Sequence, residues 1–281
     1  MPVHSQPLAP RPCEIQRLDA APSAGEVAAM TEHRTERFQS FDGVEIAIHR
    51  QGQGRPVVLL HGFLSSARQN WFAPGHVNCL ARAGFEVIAP DLRGHGESAA
   101  PTDPAAWPQD VLAKDQQALI AHLGLSDYDL VGYSLGARTS VRAVVGGLRP
   151  RRLALGGMGE SGVMQAGARA AMFEDSIRHG EQAKDPRAGR RIQRMLAEGG
   201  LDPLAMLGVL AAFQETTAEQ IAAITIPTLV VCGADDRDNG SPDDLAARLP
   251  HSQLVMIPGD HIGAAGAAEL SEAVVAFLTE D

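Results

Sequence analysis

The chain has 281 residues, of which 44% are hydrophobic and 21% are charged, a composition typical of a folded globular protein. Its formal net charge of −10 argues against a nucleic-acid-binding protein, because such a protein needs a basic face. Three widely spaced cysteines provide no disulfide framework, and no apolar stretch approaches the ~18 residues of a membrane span. We therefore expect a cytoplasmic protein that binds neither nucleic acid nor a membrane.

The N-terminal segment differs in composition from the rest of the chain. Residues 1–29 contain five prolines and scattered charges but no compact apolar region, which predicts a disordered leader rather than a secretory signal. Met30 directly precedes sequence with a folded character, so a translation start at Met30 stays open. We place the leader at residues 1–33 and one folded domain at residues 34–281.

Eight strand-like runs follow in chain order. The first two flank Asp42-Gly43, a hairpin turn signal, and so predict an antiparallel edge. The six later runs are short and apolar, as expected of parallel strands that are covered on both faces. The eight runs lie at residues 38–41, 44–48, 56–60, 85–90, 128–131, 152–155, 228–231 and 253–257.

Helical patterns separate most of these runs, at residues 73–83, 107–123, 135–145, 242–249 and 267–278. This alternation predicts an α/β fold with a mostly parallel eight-stranded sheet and helices on both faces. Residues 161–222 contain helical patterns interrupted by glycine and proline but no strand-like run. They predict a helical lid inserted between the sixth and seventh strands.

A strand-to-helix junction carries the candidate nucleophile, Ser134. The sequence Gly-Tyr-Ser-Leu-Gly at residues 132–136 follows a strand-like run and precedes a helical pattern. A serine at such a turn has a strained backbone and an exposed Oγ, and flanking glycines avoid collisions with the neighbouring strand and helix. The motif alone is also compatible with a tight packing turn, but its strand–helix context favours a nucleophile.

A second motif, His-Gly-Phe at residues 61–63, follows the third strand-like run. Backbone N–H groups at the end of this strand can face the N–H group that follows the candidate serine. We predict that the N–H groups of Phe63 and Leu135 together form an oxyanion hole. His61 itself is interpreted as a structural histidine that is hydrogen-bonded beneath the loop.

The candidate base and acid follow the last two strand-like runs. His261 lies in a predicted loop at the carboxyl end of the eighth strand, where α/β proteins form their sites. Asp235, Asp236 and Asp238 follow the seventh strand, and one of them should orient the base. The other two are expected to be solvated or to pair with Arg237.

Five motifs in this order resemble the α/β-hydrolase fold superfamily over the region from about Thr35 to the C-terminus. The spacing in that family selects Asp236 as the acid, three residues after Gly233. Asp238 is second, because it would face the same side as Asp236 if the chain stayed extended. Glu160, after the sixth strand, is third, because some relatives place the acid there. The motifs lie at residues 61–63, 91–98, 132–137, 233–236 and 259–261. In the family, residues 91–98 form a structural turn after the fourth strand.

The resemblance implies a lid-bearing, carboxylesterase-like serine hydrolase that needs no cofactor and no metal. Its substrate would be a small ester, thioester or lactone, hydrolysed through an acyl-enzyme. An apolar substrate is favoured because flexible methionines near the lid suit an adaptable apolar pocket. The low aromatic content also argues against an aromatic-lined sugar or nucleobase site. A C–C bond hydrolase, a perhydrolase and a ligand receptor remain alternatives on the same fold, and the oligomeric state and acyl length stay open. The methionines are Met158, Met164, Met172, Met195 and Met206.

Overall fold

The structure, a computed structural model, describes residues 32–280. The predicted leader lies outside the described residues except for Glu32 and His33, and so does the alternative start at Met30. In the described part of the chain, no helix combines the length and the apolar character needed to cross a membrane.

Within residues 32–280, eight strands form one sheet. In chain order they are β1 (Arg34–Gln39), β2 (Glu45–Gly52), β3 (Arg55–Leu60), β4 (Phe85–Pro90), β5 (Asp129–Tyr133), β6 (Leu153–Gly156), β7 (Thr228–Gly233) and β8 (Ser252–Ile257). Their spatial order is β1-β2-β4-β3-β5-β6-β7-β8. Strand β2 is antiparallel to β1 and β4, and the other neighbours pair in parallel. The predicted fold class, including the antiparallel edge, is confirmed.

The helices alternate with the strands as predicted. In chain order they are α1 (His76–Arg82), α2 (Val111–His122), α3 (Leu135–Val145), α4 (Glu160–Met164), α5 (Ala166–His179), α6 (Pro186–Gly199), α7 (Pro203–Ala211), α8 (Ala218–Ala222), α9 (Pro242–Arg248), α10 (His261–Gly266) and α11 (Ala268–Leu278). Helices α4 to α8 lie between β6 and β7, the place predicted for the lid, and we call residues 160–222 the inserted segment.

Helix α10 corrects the sequence analysis, which interpreted the surroundings of His261 as a loop. The carboxylate of Asp260 accepts a hydrogen bond from the backbone N–H of Gly263 at 2.8 Å and so caps the N-terminus of this helix. A helix of six residues is too short to show the apolar periodicity by which longer helices are identified.

The sheet is buried on both faces, which explains the continuous apolar runs. Successive residues of β3 point to opposite sides: Val58 and Leu60 lie in one apolar cluster, and Val57 and Leu59 lie in the other. Helices α2 and α3 and the inserted segment contribute to the first cluster, whereas α1 and α11 contribute to the second. This burial fixes the carboxyl ends of β3, β5, β7 and β8 along one edge.

A buried carboxylate, Asp91, organises the loop after β4. It is hydrogen-bonded to Nε2 of His49 at 3.0 Å and accepts the backbone N–H groups of Ala67 and Glu97, each at 2.8 Å. Burial alone would raise the pKa of Asp91, but these hydrogen bonds and the nearby His61 lower it to about 2. Asp91 thereby ties the antiparallel edge to the loop that follows β3.

Arg93, two residues further on, is fully buried in the same loop. Its guanidinium donates to the carboxylates of Asp42 and Asp115 and to the carbonyl oxygen of Ala106, at 2.7–3.0 Å. Each of its nitrogens therefore has a partner, which offsets the cost of removing the charge from water. These contacts agree with the structural role that the resemblance implied for residues 91–98.

We predict that Asp91→Asn lowers the free energy of unfolding at pH 7 by about 2 kcal/mol or more. A carboxyl group whose pKa is lower in the folded state stabilises the fold above its unfolded pKa, near 4, and this contribution disappears as the pH falls towards 2. Denaturant titrations should therefore show the gap between wild type and Asp91→Asn narrowing from pH 4 to pH 2. The exposed Asp127→Asn serves as the control, and a gap that stayed constant over this range would contradict the assignment.

Candidate active site

Ser134 occupies the sharp junction between β5 and α3. Its backbone has φ 53° and ψ −111°, a left-handed conformation that residues other than glycine rarely adopt. Its N–H group donates to the carbonyl oxygen of Gly156 on the neighbouring strand β6 at 2.8 Å. The strained backbone of Ser134 is thus held by the sheet on one side and by α3 on the other.

Two glycines make this junction possible. A Cβ atom at Gly132 would lie 2.3 Å from the carbonyl group of Gly136, and one at Gly136 would lie 1.9 Å from the carbonyl oxygen of Leu60. Both distances are far below any contact that a real side chain makes. The collisions expected from the sequence, one with the helix and one with the neighbouring strand, are therefore present in the structure.

Three side chains from different elements form a continuous hydrogen-bonded line. The Oγ of Ser134 lies 3.0 Å from Nε2 of His261, and Nδ1 of His261 lies 2.7 Å from Oδ2 of Asp236. Asp236 and His261 are buried, whereas Ser134 is half-buried and faces a cavity. With the carboxylate on Nδ1–H, the imidazole presents a lone pair on Nε2 to the serine hydroxyl.

The two other aspartates after β7 have different surroundings. Asp235 is exposed, and Asp238 forms an ion pair with Arg169 of α5 at 2.8 Å. Arg237 donates to backbone carbonyl oxygens at 2.9 and 3.0 Å instead. Asp238 is exposed, as expected of a spare carboxylate, but its ion-pair partner is Arg169 and not Arg237.

The chain turns directly after β7, which explains why Asp236 and Asp238 diverge. The N–H group of Asp236 donates to the carbonyl oxygen of Gly233 at 3.0 Å, so the extended geometry ends there. Glu160, the third candidate for the acid, forms an ion pair with Arg248.

Hydrogen bonds keep the carboxylate of Asp236 ionised. Burial alone would raise its pKa, but the hydrogen bond and charge of His261 and the N–H group of Asp238 bring it below the usual value. The thiol of Cys232 also lies 3.5 Å from Oδ2 of Asp236. Burial and the neighbouring carboxylate raise the pKa of this thiol to about 12, so it remains a protonated donor. No motif in the sequence indicated this contact.

Tyr133 is a second residue that the sequence did not single out. Its hydroxyl group donates to the backbone carbonyl oxygen of His261 at 2.6 Å. Burial raises the pKa of Tyr133, so the hydroxyl stays protonated and can keep donating. The residue directly before the serine therefore fixes the backbone that carries the histidine.

The loop after β3 lies against Ser134. A Cβ atom at Gly62 would be 3.6 Å from the Cβ of Ser134, and both Phe63 and Leu135 line the cavity beside the serine. The Gly62 N–H is already bonded to Oδ1 of Asn70 at 2.9 Å. The N–H groups of Phe63 and Leu135 stay the predicted oxyanion donors, and Asn70 is a support of this loop that the sequence did not reveal.

His61 is fully buried beneath the same loop. Its Nδ1 lies 2.8 Å from the carbonyl oxygen of Gly62, and its Nε2 accepts the N–H group of Leu92 at 2.9 Å. Burial lowers the pKa of His61, which favours the neutral ring. With both nitrogens bonded to the backbone, His61 has the surroundings of a structural histidine.

A cavity of about 1020 Å³ opens above Ser134. The inserted segment forms much of its wall, and its apolar lining includes Phe63, Met158, Met172, Phe173, Met195 and Phe213. Of the five methionines considered in the sequence, Met164 does not line the cavity and Met206 is fully buried in the core. The cavity can therefore hold an apolar group of a small molecule next to the serine.

In the described residues, one group of side chains is close enough to suggest a metal site: Asp236, Asp238 and His261 have ligand atoms within 4.8 Å of one another. The partners of these groups argue against that use. Asp236 and His261 are hydrogen-bonded to each other, and Asp238 is paired with Arg169.

The chain is similar to known proteins of the alpha/beta hydrolase fold. The family model for the alpha/beta hydrolase fold matches residues 55–145. An epoxide hydrolase of Caballeronia sordidicola is 32% identical over 127 residues, 44% of this chain and 37% of that protein. A Synechocystis protein named as a non-heme chloroperoxidase is 28% identical over 249 residues, 77% of this chain and 87% of that protein.

The solved structures extend the likeness over most of the fold. A hydrolase from Pseudomonas aeruginosa superimposes with a TM-score of 0.72 at 23% identity, over 88% of this chain and 99% of that one. By sequence, the alignments with two epoxide hydrolases and a non-heme haloperoxidase span only 16% to 37% of those proteins' lengths. The sheet order, the strained serine junction and these comparisons lead to one conclusion: the chain has the α/β-hydrolase fold.

Proposed function

We propose that the protein is a serine hydrolase that cleaves a small ester, thioester or lactone through an acyl-enzyme. The observation that carries the proposal is the hydrogen-bonded line from Ser134 through His261 to Asp236 at the base of a large cavity. A nucleophile, a base in contact with it and an acid that orients the base are what acyl transfer requires.

The proposed reaction has two halves. Nε2 of His261 takes the hydroxyl proton while Oγ of Ser134 attacks the substrate carbonyl carbon. The carbonyl oxygen becomes an oxyanion, held by the N–H groups of Phe63 and Leu135. When the intermediate collapses, His261 gives the proton to the leaving group and an acyl-serine remains. Water, activated by the same imidazole, then releases the acid and restores Ser134.

Asp236 acts on the base rather than on the substrate. Its carboxylate holds the proton of His261 on Nδ1 and stabilises the imidazolium that forms during attack. The thiol of Cys232 and the N–H group of Asp238 hold that carboxylate in turn. The orientation of the base is therefore set before a substrate binds.

The chemistry of serine favours acyl transfer over epoxide opening, although several relatives are named epoxide hydrolases. Attack of Ser134 on an epoxide carbon would leave an ether, and a water molecule activated by a histidine does not cleave an ether. Attack on an acyl carbon leaves an ester, which the same water molecule hydrolyses. Ser134 at the junction therefore supports a substrate with an acyl carbon.

A perhydrolase is the second candidate. It is favoured by the 28% identity over 249 residues to the Synechocystis protein named as a chloroperoxidase. In this reaction hydrogen peroxide replaces water, so the acyl-serine yields a peracid and free Ser134. The first half of the mechanism is unchanged. A perhydrolase and a hydrolase can be distinguished by the rates at which one ester yields peracid and carboxylic acid. These rates are measured at increasing concentrations of hydrogen peroxide.

Ser134→Ala should lower kcat/KM for short-chain aryl esters by at least ~10³-fold, because the nucleophile and its base act as a unit. The fold should persist, since alanine fits this backbone no worse than serine does. Labelling with a fluorophosphonate should modify the wild type at Ser134 and leave the variant unlabelled. A purified, folded variant that kept more than a tenth of the activity would exclude Ser134 as the nucleophile.

Asp236→Asn should lower kcat by about 10⁴-fold, because an amide no longer stabilises the imidazolium or holds its tautomer. Asp235→Asn and Asp238→Asn are matched controls, since they make the same change one and two residues away. Both should stay within tenfold of wild type in the same assay. If Asp238→Asn were the severe variant, Asp236 would not be the acid.

Met172→Ala and Met195→Ala should shift the preferred acyl chain length, because both side chains line the cavity. Met206→Ala is the control: it removes a core side chain away from the cavity lining and should cost about 2–5 kcal/mol of stability. Its chain-length profile should match that of the wild type. Unchanged profiles for both cavity variants would show that these methionines do not shape the acyl site.

A further inference from the structure

The cavity carries an excess of positive charge that the proposed reaction does not use. Among the residues that the structure describes, four arginines line it against two carboxylates, Asp238 and Glu198. The whole chain has a formal net charge of −10, so this excess is a local feature of the cavity and not a consequence of composition. The arginines are Arg138, Arg169, Arg191 and Arg194.

Arg138 is the most unusual of the four. It lies one helical turn beyond Ser134 in α3, and 95% of it is buried, since its relative exposure is 5%. Its guanidinium donates to the carbonyl oxygens of Gly162, Val163 and Gln214 and stacks on a phenylalanine ring. Burial lowers its pKa to about 10, so it is still charged at neutral pH. Within residues 32–280 no carboxylate forms an ion pair with it, although Asp110 and Glu215 act on its charge from a longer distance.

The three other arginines differ in whether a carboxylate pairs with their positive charge. Arg169 is paired with Asp238 at 2.8 Å, and Arg194 lies 3.9 Å from Glu198. Arg191 is exposed on α6, lines the cavity and has no ion-pair partner in the part of the chain that the structure describes. A guanidinium in this position can bind a carboxylate through two parallel hydrogen bonds.

We propose that the physiological substrate carries a carboxylate at the end opposite to its reactive acyl group, and that Arg191 binds this carboxylate in the positive field of Arg138. This inference rests on the proposed serine hydrolase activity and names its substrate class: half-esters of dicarboxylic acids or lactones that bear a carboxylate. The apolar side chains of Met172, Phe173 and Met195 would contact the hydrocarbon between the two ends.

Matched esters test the proposal. Monomethyl and dimethyl esters of succinate, glutarate and adipate differ only in whether the far end is charged. Rates are followed by pH-stat, and the dimethyl values are halved because either end of a diester can react. At one chain length, kcat/KM of the wild type should favour the monoanion at least ~10-fold.

Variants distinguish a specific contact between Arg191 and the substrate carboxylate from a general effect of the positive charges around the cavity. Arg191→Gln should reduce that preference by ~5-fold or more, mainly through KM, while leaving the diester rate within twofold. Arg191→Lys should restore part of the preference. Arg190→Gln is the control, because Arg190 is also exposed on α6 but does not line the cavity. The proposal would be overturned if Arg190→Gln and Arg191→Gln lost the preference for the monoanion to the same extent, or if the wild type had no such preference.

A binding experiment keeps this inference separate from the proposed activity. Calorimetry with the Ser134→Ala variant measures the affinity for monomethyl glutarate and for dimethyl glutarate without turnover. Tighter binding of the monoanion, weakened by Arg191→Gln in the same background, supports the anion site even if no ester is hydrolysed. If the fluorophosphonate labels Ser134 but both esters bind equally, the serine hydrolase stands and the anion site is excluded.

Discussion

The site depends on one close contact, the approach of Gly136 to the end of β3. Only a hydrogen atom fits between this Cα and the carbonyl oxygen of Leu60, since a Cβ would lie 1.9 Å away. That contact brings the first turn of α3 against the sheet and forces the turn at Ser134 into a left-handed backbone conformation. The serine is exposed to the cavity because the chain has no room to turn more gradually.

The surrounding polar groups reinforce this geometry from several sides. Tyr133 bonds to the backbone of His261, and Asn70 holds the N–H group of Gly62. Asp91 and Arg93 secure the loop after β4 with buried, fully partnered charges. Because these groups are shielded from water, their hydrogen bonds are stronger than at a surface, and losing one partner is costly. A site in which each reacting side chain has its own support is preorganised for chemistry.

The sheet was predictable from sequence because its signals are local. Continuous apolar runs mark strands that are buried on both faces, and glycines flanking Ser134 mark a turn that no larger residue permits. The short helix that begins at His261 was not predictable, because one capping aspartate defines it rather than a periodic pattern. The ion pair between Arg169 and Asp238 joins residues 69 apart in the chain, and the sequence carries no sign of that proximity. Likewise, the charge of the cavity wall arises only when α3 and the inserted segment come together.

Among the arginines that attach the inserted segment to the rest of the fold, Arg138 and Arg169 do so with different strengths. Arg138 binds carbonyl oxygens near both ends of the segment, at Gly162, Val163 and Gln214, in buried surroundings. Arg169 holds the cavity-facing helix α5 to the loop of the acid through an ion pair that is partly exposed, a contact worth about 0.2–1 kcal/mol. The base of the segment is therefore fixed to the nucleophile helix, while the contact at the acid loop costs little to break. Since Arg138 both anchors the segment and lies in the cavity wall, the residue that holds the cavity together also contributes to its charge.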